Sequence, residues 1–180
     1  FVFSENSLFI DEGRNLLITE FGKNYGTYFS ILSEIANGHY TQGEIESALG
    51  GTAIGGYLSK LENVYNLITR ERPIFAKPGT KKNVRYVIGD NFLNFWFKYI
   101  EQNRSYIELQ NFDDLRQLAK ADYPTYSGRV LEKYFKQKLA ETGGFKEIGS
   151  WWETKSSIGK QRINSYEIDI VALKSSGKKA

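Results

Sequence analysis

The sequence predicts a chain of mixed α and β character in two parts: a helical N-terminal half closed by a β-hairpin, and a C-terminal α/β half. Three observations predict it. Tyr28, Ile31, Leu32 and Ile35 recur at i, i+3, i+4 and i+7, the spacing of one buried helix face, and two further short helical runs follow. Two β-prone runs then flank a Pro78-Gly79 step, a strong turn signal. Beyond them, a helical stripe from Ser127 to Thr142 precedes an alternating run, Tyr166 to Leu173, with the period of a strand.

The elements follow in order. A leading helix around Leu8 to Phe21 comes first, so residues 1–23 read as a leading helix or a linker from an upstream domain. The helix through Ile35 stops at Gly38, and Thr41-Gln42-Gly43-Glu44 matches a capping box, in which a hydroxyl and a carboxylate satisfy free backbone N–H groups. A short helix burying Ile45 and Leu49 ends at Gly50-Gly51. Thr52 is the expected cap of a third helix with Ile54, Tyr57, Leu58, Leu61 and Tyr65 on its apolar face. Strands over Leu67 to Phe75 and Asn83 to Ile88 then complete the order helix, helix, helix, hairpin, which is that of a winged helix-turn-helix over residues 24–89. Asp90 can cap a helix from Phe92 to Ile100 that is apolar on nearly every side, as in a helix packed from several directions. With the polar stretch after it, including a short helix at Asp113 to Lys120, it reads as a bridging helix and linker over 90–124.

Bulk properties bound the function. The 180 residues hold one ordinary domain or two small ones. The first residue is Phe1 and the last run is polar, so the chain reads as a piece of a larger protein. With no Cys there is no disulfide framework and no thiolate metal site; this suits a reducing compartment, and the cytoplasm is the expected location. No stretch has the apolar length of a membrane span, so no membrane partner is expected. A net charge of +3 does not by itself imply nucleic acid, but its distribution is uneven. Basic residues are scarce up to Asn66 and gathered from Arg70 to Arg104.

In a winged helix the third helix enters the major groove and the hairpin touches the backbone or minor groove. That makes Lys60 on the third helix, and Lys77, Lys81, Lys82 and Arg85 on the wing, candidate contacts to double-stranded DNA. The competing reading is a solvated, lysine-rich turn on a domain that docks within its own protein. The third helix has no Arg and begins at Gly55-Gly56, whereas base readout favours Arg, Asn or Gln. The sole histidine, His39, reads as a loop residue.

In the C-terminal half, residues 125–180, Val130, Leu131, Tyr134, Phe135 and Leu139 form the expected buried stripe of the helix, with Glu132 at its margin. Alternation places Ile168, Ile170 and Ala172 on one face of the last strand and Glu167, Asp169, Val171 and Leu173 on the other. A carboxylate entering a buried strand is costly unless paired or metal-bound, so Asp169 is the leading site candidate, expected to converge with Glu132 and to be the more buried of the two. A strand-end carboxylate held by a Lys or by backbone N–H groups is the alternative.

Tyr28-Phe29-Ser30-Ile31-Leu32, Phe92-Leu93-Asn94-Phe95-Trp96-Phe97, Gly128-Arg129 with Glu132, and Glu167-Ile168-Asp169-Ile170-Val171-Ala172 together resemble the C-terminal half of the archaeal-type, or DEXX-box, P-loop ATPases. The resemblance implies an upstream ATPase domain of the same protein, then this winged helix, then an incomplete α/β domain similar to PD-(D/E)xK nucleases. It implies that Glu132 and Asp169 are the helix and strand carboxylates of a Mg²⁺-dependent site, with a Glu/Asp-x-Lys element still to follow Leu173. The sequence contains no Gly-x4-Gly-Lys-Ser/Thr, so ATP could bind only through the upstream domain. A DNA-associated regulatory or effector region is the leading expectation, and a non-catalytic docking module the alternative.

Overall fold

The computed structural model describes residues 2–5, 7–77, 83–153, 157–158, 161–162 and 166–175, with 157–158 and 161–162 described as backbone. It divides into two compact units, Phe1–Glu71 with Arg85–Pro124, and Arg72–Val84 with Thr125–Ala180. No helix among the described residues is long and apolar enough to cross a membrane.

The first unit contains α1 (Leu8–Phe21), α2 (Tyr25–Asn37), α3 (Gln42–Ala48), α4 (Gly55–Asn63), β1 (Ile68–Glu71), β2 (Arg85–Ile88), α5 (Asn91–Phe95), a π-helical turn (Trp96–Ile100), α6 (Arg104–Glu108) and the start of α7 (Phe112–Thr142). Gly38 ends α2 in the left-handed region at φ 103°, where the His39 N–H reaches the Glu34 carbonyl at 3.0 Å. The capping box of α3 is present: Glu44 N–H donates to Thr41 Oγ1 at 3.3 Å, and Thr41 N–H donates to Glu44 Oε2 at 3.0 Å. Thr52 does not cap α4. Its hydroxyl donates back to the Leu49 carbonyl, and the N–H of Ile54 is taken by Glu46 Oε1 at 3.2 Å.

The aromatic run after Asp90 is the centre of this unit. Asp90 Oδ1 accepts the Leu93 N–H at 2.8 Å and starts α5, which continues into the π-helical turn. Trp96, Phe97, Tyr99 and Ile100 are all at most 1% exposed, each worth about 1.5–3 kcal/mol of burial. Phe29 of α2 meets Trp96 and Phe97 edge-on, and the indole N–H of Trp96 donates to the Ile10 carbonyl of α1 at 3.0 Å. The leading helix is therefore part of this core. Residues 90–124, read from sequence as a bridge, group with the first unit, because Leu115 and Ala119 of α7 are buried there and Asp122 accepts the Tyr99 hydroxyl at 2.6 Å.

Two sequence expectations fail here for stated reasons. The strands of the hairpin stop at Glu71 and start again at Arg85, shorter than expected, since Pro73 has no N–H for the ladder and Phe75 has φ 96°. The intervening segment joins the second unit: Ile74 N–H donates to the Ser150 carbonyl at 2.8 Å. The expected break before Ser127 is also missing. The 31-residue α7 runs through Pro124, the residue at which the two units divide.

In the second unit, α7 leads through Gly143-Gly144 into β3 (Phe145–Trp152), then β4 (Ser157–Ile158), β5 (Gln161–Arg162) and β6 (Glu167–Lys174). Among the described residues the strands pair as three antiparallel couples, β1–β2, β3–β6 and β4–β5. Leu131, Tyr134 and Phe135, expected to be buried, are each half exposed, because the two-stranded β3–β6 sheet is too narrow to cover the whole stripe of α7.

Two glycines give opposite predictions. A Cβ on Gly13 would lie 2.3 Å from the Trp96 ring, so Gly13→Ala should lower stability in urea unfolding by about 1–3 kcal/mol, overriding the helix-propensity gain of about 1 kcal/mol. Gly128 in α7 faces open space, and Gly128→Ala should raise stability by up to about 1 kcal/mol. A third test uses pH. The Gln42 amide, and then the Ile54 N–H, hold the Glu46 carboxyl below its usual range, so its stabilisation is complete above the ordinary carboxylate pKa and lost as pH falls through the lowered one. Glu46→Gln should therefore lose less stability on acidification than the parent chain, read as melting temperature against pH.

Candidate functional site

Glu132 lies on the second half of α7, one turn before Lys136, and both side chains are about three-quarters buried. Lys136 Nζ donates to Glu132 Oε1 and also to Ser150 Oγ on β3, while the Ser150 hydroxyl donates to Glu132 Oε1 at 3.2 Å. Ser150 is 6% exposed, the one buried polar residue among those described. Glu132 is thus a neutralised carboxylate, fastened between its own helix and the sheet.

Asp169 departs from expectation. It is exposed and Glu132 is half-buried, reversing the expected order. The cause is register: Gly149 pairs with Val171 and Trp151 with Ile168, so Asp169 and Ile170 together oppose the single residue Ser150. This bulge breaks the alternation on which the burial of Asp169 rested. Among the described residues the Asp169 side chain has no hydrogen-bond or ion-pair partner. Topology does bring Glu132 and Asp169 to one neighbourhood, since Ser150 touches the first and lies across the ladder from the second.

The residues present do not fit a Mg²⁺ site. No group of three or more Asp, Glu, His or Cys among the described residues could hold a metal, and the residues outside the description include none of these types. A divalent cation wants several free oxygens, whereas one of these carboxylates is occupied by Lys136. Lys136 and Ser150 are the site residues that sequence reasoning missed; the i, i+4 spacing of Glu132 and Lys136 was a visible signal, whereas Ser150 became visible only through the sheet register.

The proposed nucleic-acid contacts fall in several places. Lys60 is exposed on α4 and has no ion-pair partner among the described residues. Glu62, the only acid of α4, is tied to Arg70 of β1, whose guanidinium also lies 5.5 Å from the Tyr86 ring centroid. Lys77 is exposed on the segment anchored by Ile74, and Arg85 is half-buried on β2 opposite Glu71. Lys81 and Lys82 lie outside the described residues. His39 is more than a loop residue, for its Nδ1 meets Glu34 Oε2 at 2.7 Å.

Removing each partner should separate these roles. Lys136→Met leaves a half-buried carboxylate with only a hydroxyl for company and should cost about 1–3 kcal/mol in chemical denaturation, whereas Asp169→Asn should stay within about 0.5 kcal/mol of the parent. Calorimetric titration of the parent chain with Mn²⁺ should show no saturable site tighter than about 1 mM.

Comparison with known proteins covers the same ground. No solved structure matches the chain. Over 163 residues it is 39% identical to the uncharacterized protein MJECL04 of Methanocaldococcus jannaschii, a match that takes in 86% of this chain and 34% of the relative. The chain therefore spans about a third of that relative's length. Residues 96–180 match the family model DUF234, described as archaeal and bacterial proteins of unknown function, so the shared portion begins at the π-helical turn and contains Glu132, Lys136, Ser150 and Asp169.

Proposed function

We propose that the chain is a DNA-associated regulatory or effector region of a larger P-loop ATPase, with a winged helix over residues 24–89 and a PD-(D/E)xK-like fold over residues 125–180. The observation that carries the DNA reading is the order α2, α3, α4, β1, β2, in which α4 follows a capped α3 and turns Leu58 and Leu61 inward and Ser59, Lys60 and Asn63 outward. Because Glu62 is held by Arg70, Lys60 is left as the unpaired charge of α4. The ATPase is inferred from the resemblance and from a relative about three times as long; ATP would be bound by that upstream domain. Since the carboxylates do not fit Mg²⁺, no cleavage step is assigned to these residues.

A second reading, a non-catalytic docking module, is favoured by one observation. Ile74, in the described part of the segment that follows β1, donates its N–H to the Ser150 carbonyl of β3, so this residue is held by the sheet.

Fluorescence anisotropy with a labelled duplex at several salt concentrations separates the two. The DNA reading expects binding that weakens steeply with salt, by about 0.9 in log K per log salt for each phosphate contacted. Absence of binding at low salt would leave the docking module as the function.

A further inference from the structure

The segment after β1 turns back on itself, and the turn carries a residue that its geometry disfavours. Pro73 to Ala76 form a four-residue turn closed by the Ala76 N–H on the Pro73 carbonyl at 2.9 Å. Its third residue, Phe75, has φ 96°, in the left-handed region where turns of this form place Gly or Asn. Burial does not offset the strain: the side chain is 66% exposed and has no ring contact among the described residues. Its neighbour Ile74 is 3% exposed and bonded to the Ser150 carbonyl, so the turn is anchored while Phe75 stands outward. Arg72 and Lys77, one on each side of the turn, are exposed and have no ion-pair partner among the described residues. An aromatic ring is thus displayed between two cations, and strain kept at a residue that buries so little points to a use outside the chain's own packing.

A face of opposite character lies on α1. At about 100° per residue, Phe9, Glu12, Leu16 and Glu20 share one side of that helix, away from the buried Gly13, Leu17 and Phe21. Leu8 and Leu16 are 85% and 52% exposed. Asp11, Glu12 and Glu20 are exposed and have no ion-pair partner among the described residues, and the one cation of the helix, Arg14, is tied to Glu101 at 3.1 Å. Leucines set among uncompensated acids repel phosphates, anionic lipid and a second α1 alike. The cations beside Phe75 equally repel a second copy of that turn. The two unlike faces attract each other, and each offers the apolar surface that the other lacks.

We infer that two copies of this chain associate through unlike faces, the Phe75 turn of one copy on the α1 face of the other. Phe75 lies between Leu8 and Leu16, which are about 12 Å apart along the helix at about 1.5 Å per residue, and Arg72 and Lys77 meet Glu12 and Glu20. The contact is small and partly ionic, so the association is weak and sensitive to salt. It goes beyond the DNA-associated reading and does not depend on it.

The test is sedimentation of the whole chain from about 1 to 100 μM, with circular dichroism melts to establish that each variant is folded. The average mass of the parent should rise with concentration, and less so in about 0.5 M salt. Phe75→Gly removes the ring and relieves the turn, so it should weaken association at least tenfold while melting no lower than the parent. Glu12→Lys/Glu20→Lys and Arg72→Glu/Lys77→Glu should each remain monomeric alone. Mixed in equal amounts, these two variants should associate again, because each then presents the charge that the other's faces require. A parent that stays monomeric throughout, a Phe75→Gly variant that associates as the parent does, or a mixture that stays monomeric overturns the inference. A lower melting temperature for Phe75→Gly also overturns it, since the ring would then serve the chain's own stability. Duplex binding by the same parent sample reports separately on the DNA-associated reading, and its absence leaves the association untouched.

Discussion

The first unit depends on the closeness of Trp96 to Gly13. An indole whose ring lies where any side chain on α1 would begin can be accommodated only by glycine, and its N–H then reaches the Ile10 carbonyl one turn away. That contact fixes α1 against the π-helical turn, and Phe29 fixes α2 against the same ring. A network of charge closes the periphery: Glu101 accepts from Arg14 at 3.1 Å and from Arg104 at 3.2 Å, and the next residue, Gln102, donates to the Ser33 carbonyl. Without the small residue at position 13 the helices could not approach closely enough for either set of contacts.

Much of this unit was legible because its signals are local. Gly38, the Thr41–Glu44 capping box and the Asp90 cap involve residues at most five apart, and the chemistry of each is written in the residue types. The failures concern partners distant in sequence. Nothing near Thr52 announces that Glu46, eight residues before Ile54, will take the N–H that Thr52 was expected to satisfy by its own position. Pro73 is a readable strand breaker, but that the chain beyond it would join β3 at Ser150 depends on a pairing 76 residues away.

The candidate site shows the same division. Glu132 and Asp169 can both be named from the sequence, and the ladder does bring their elements together. Their environments could not be named. A period-2 pattern assumes an unbroken ladder, whereas Asp169 and Ile170 together oppose Ser150, and the first three residues of β6, Glu167 to Asp169, are all exposed. Lys136 matters for a similar reason: helical spacing offers it to Glu132, but the hydroxyl that completes the cluster comes from β3.

The proline within α7 has a consequence for how the molecule comes apart. Pro124 has no N–H to give the Lys120 carbonyl, so the helical ladder lacks a rung where the two units divide. Unfolding that begins in one half of the helix meets a gap before it reaches the other. The two halves should accordingly exchange their amide hydrogens with deuterium as two populations, those before Pro124 at the rate of the aromatic core and those after it at the slower or faster rate set by the β3–β6 sheet.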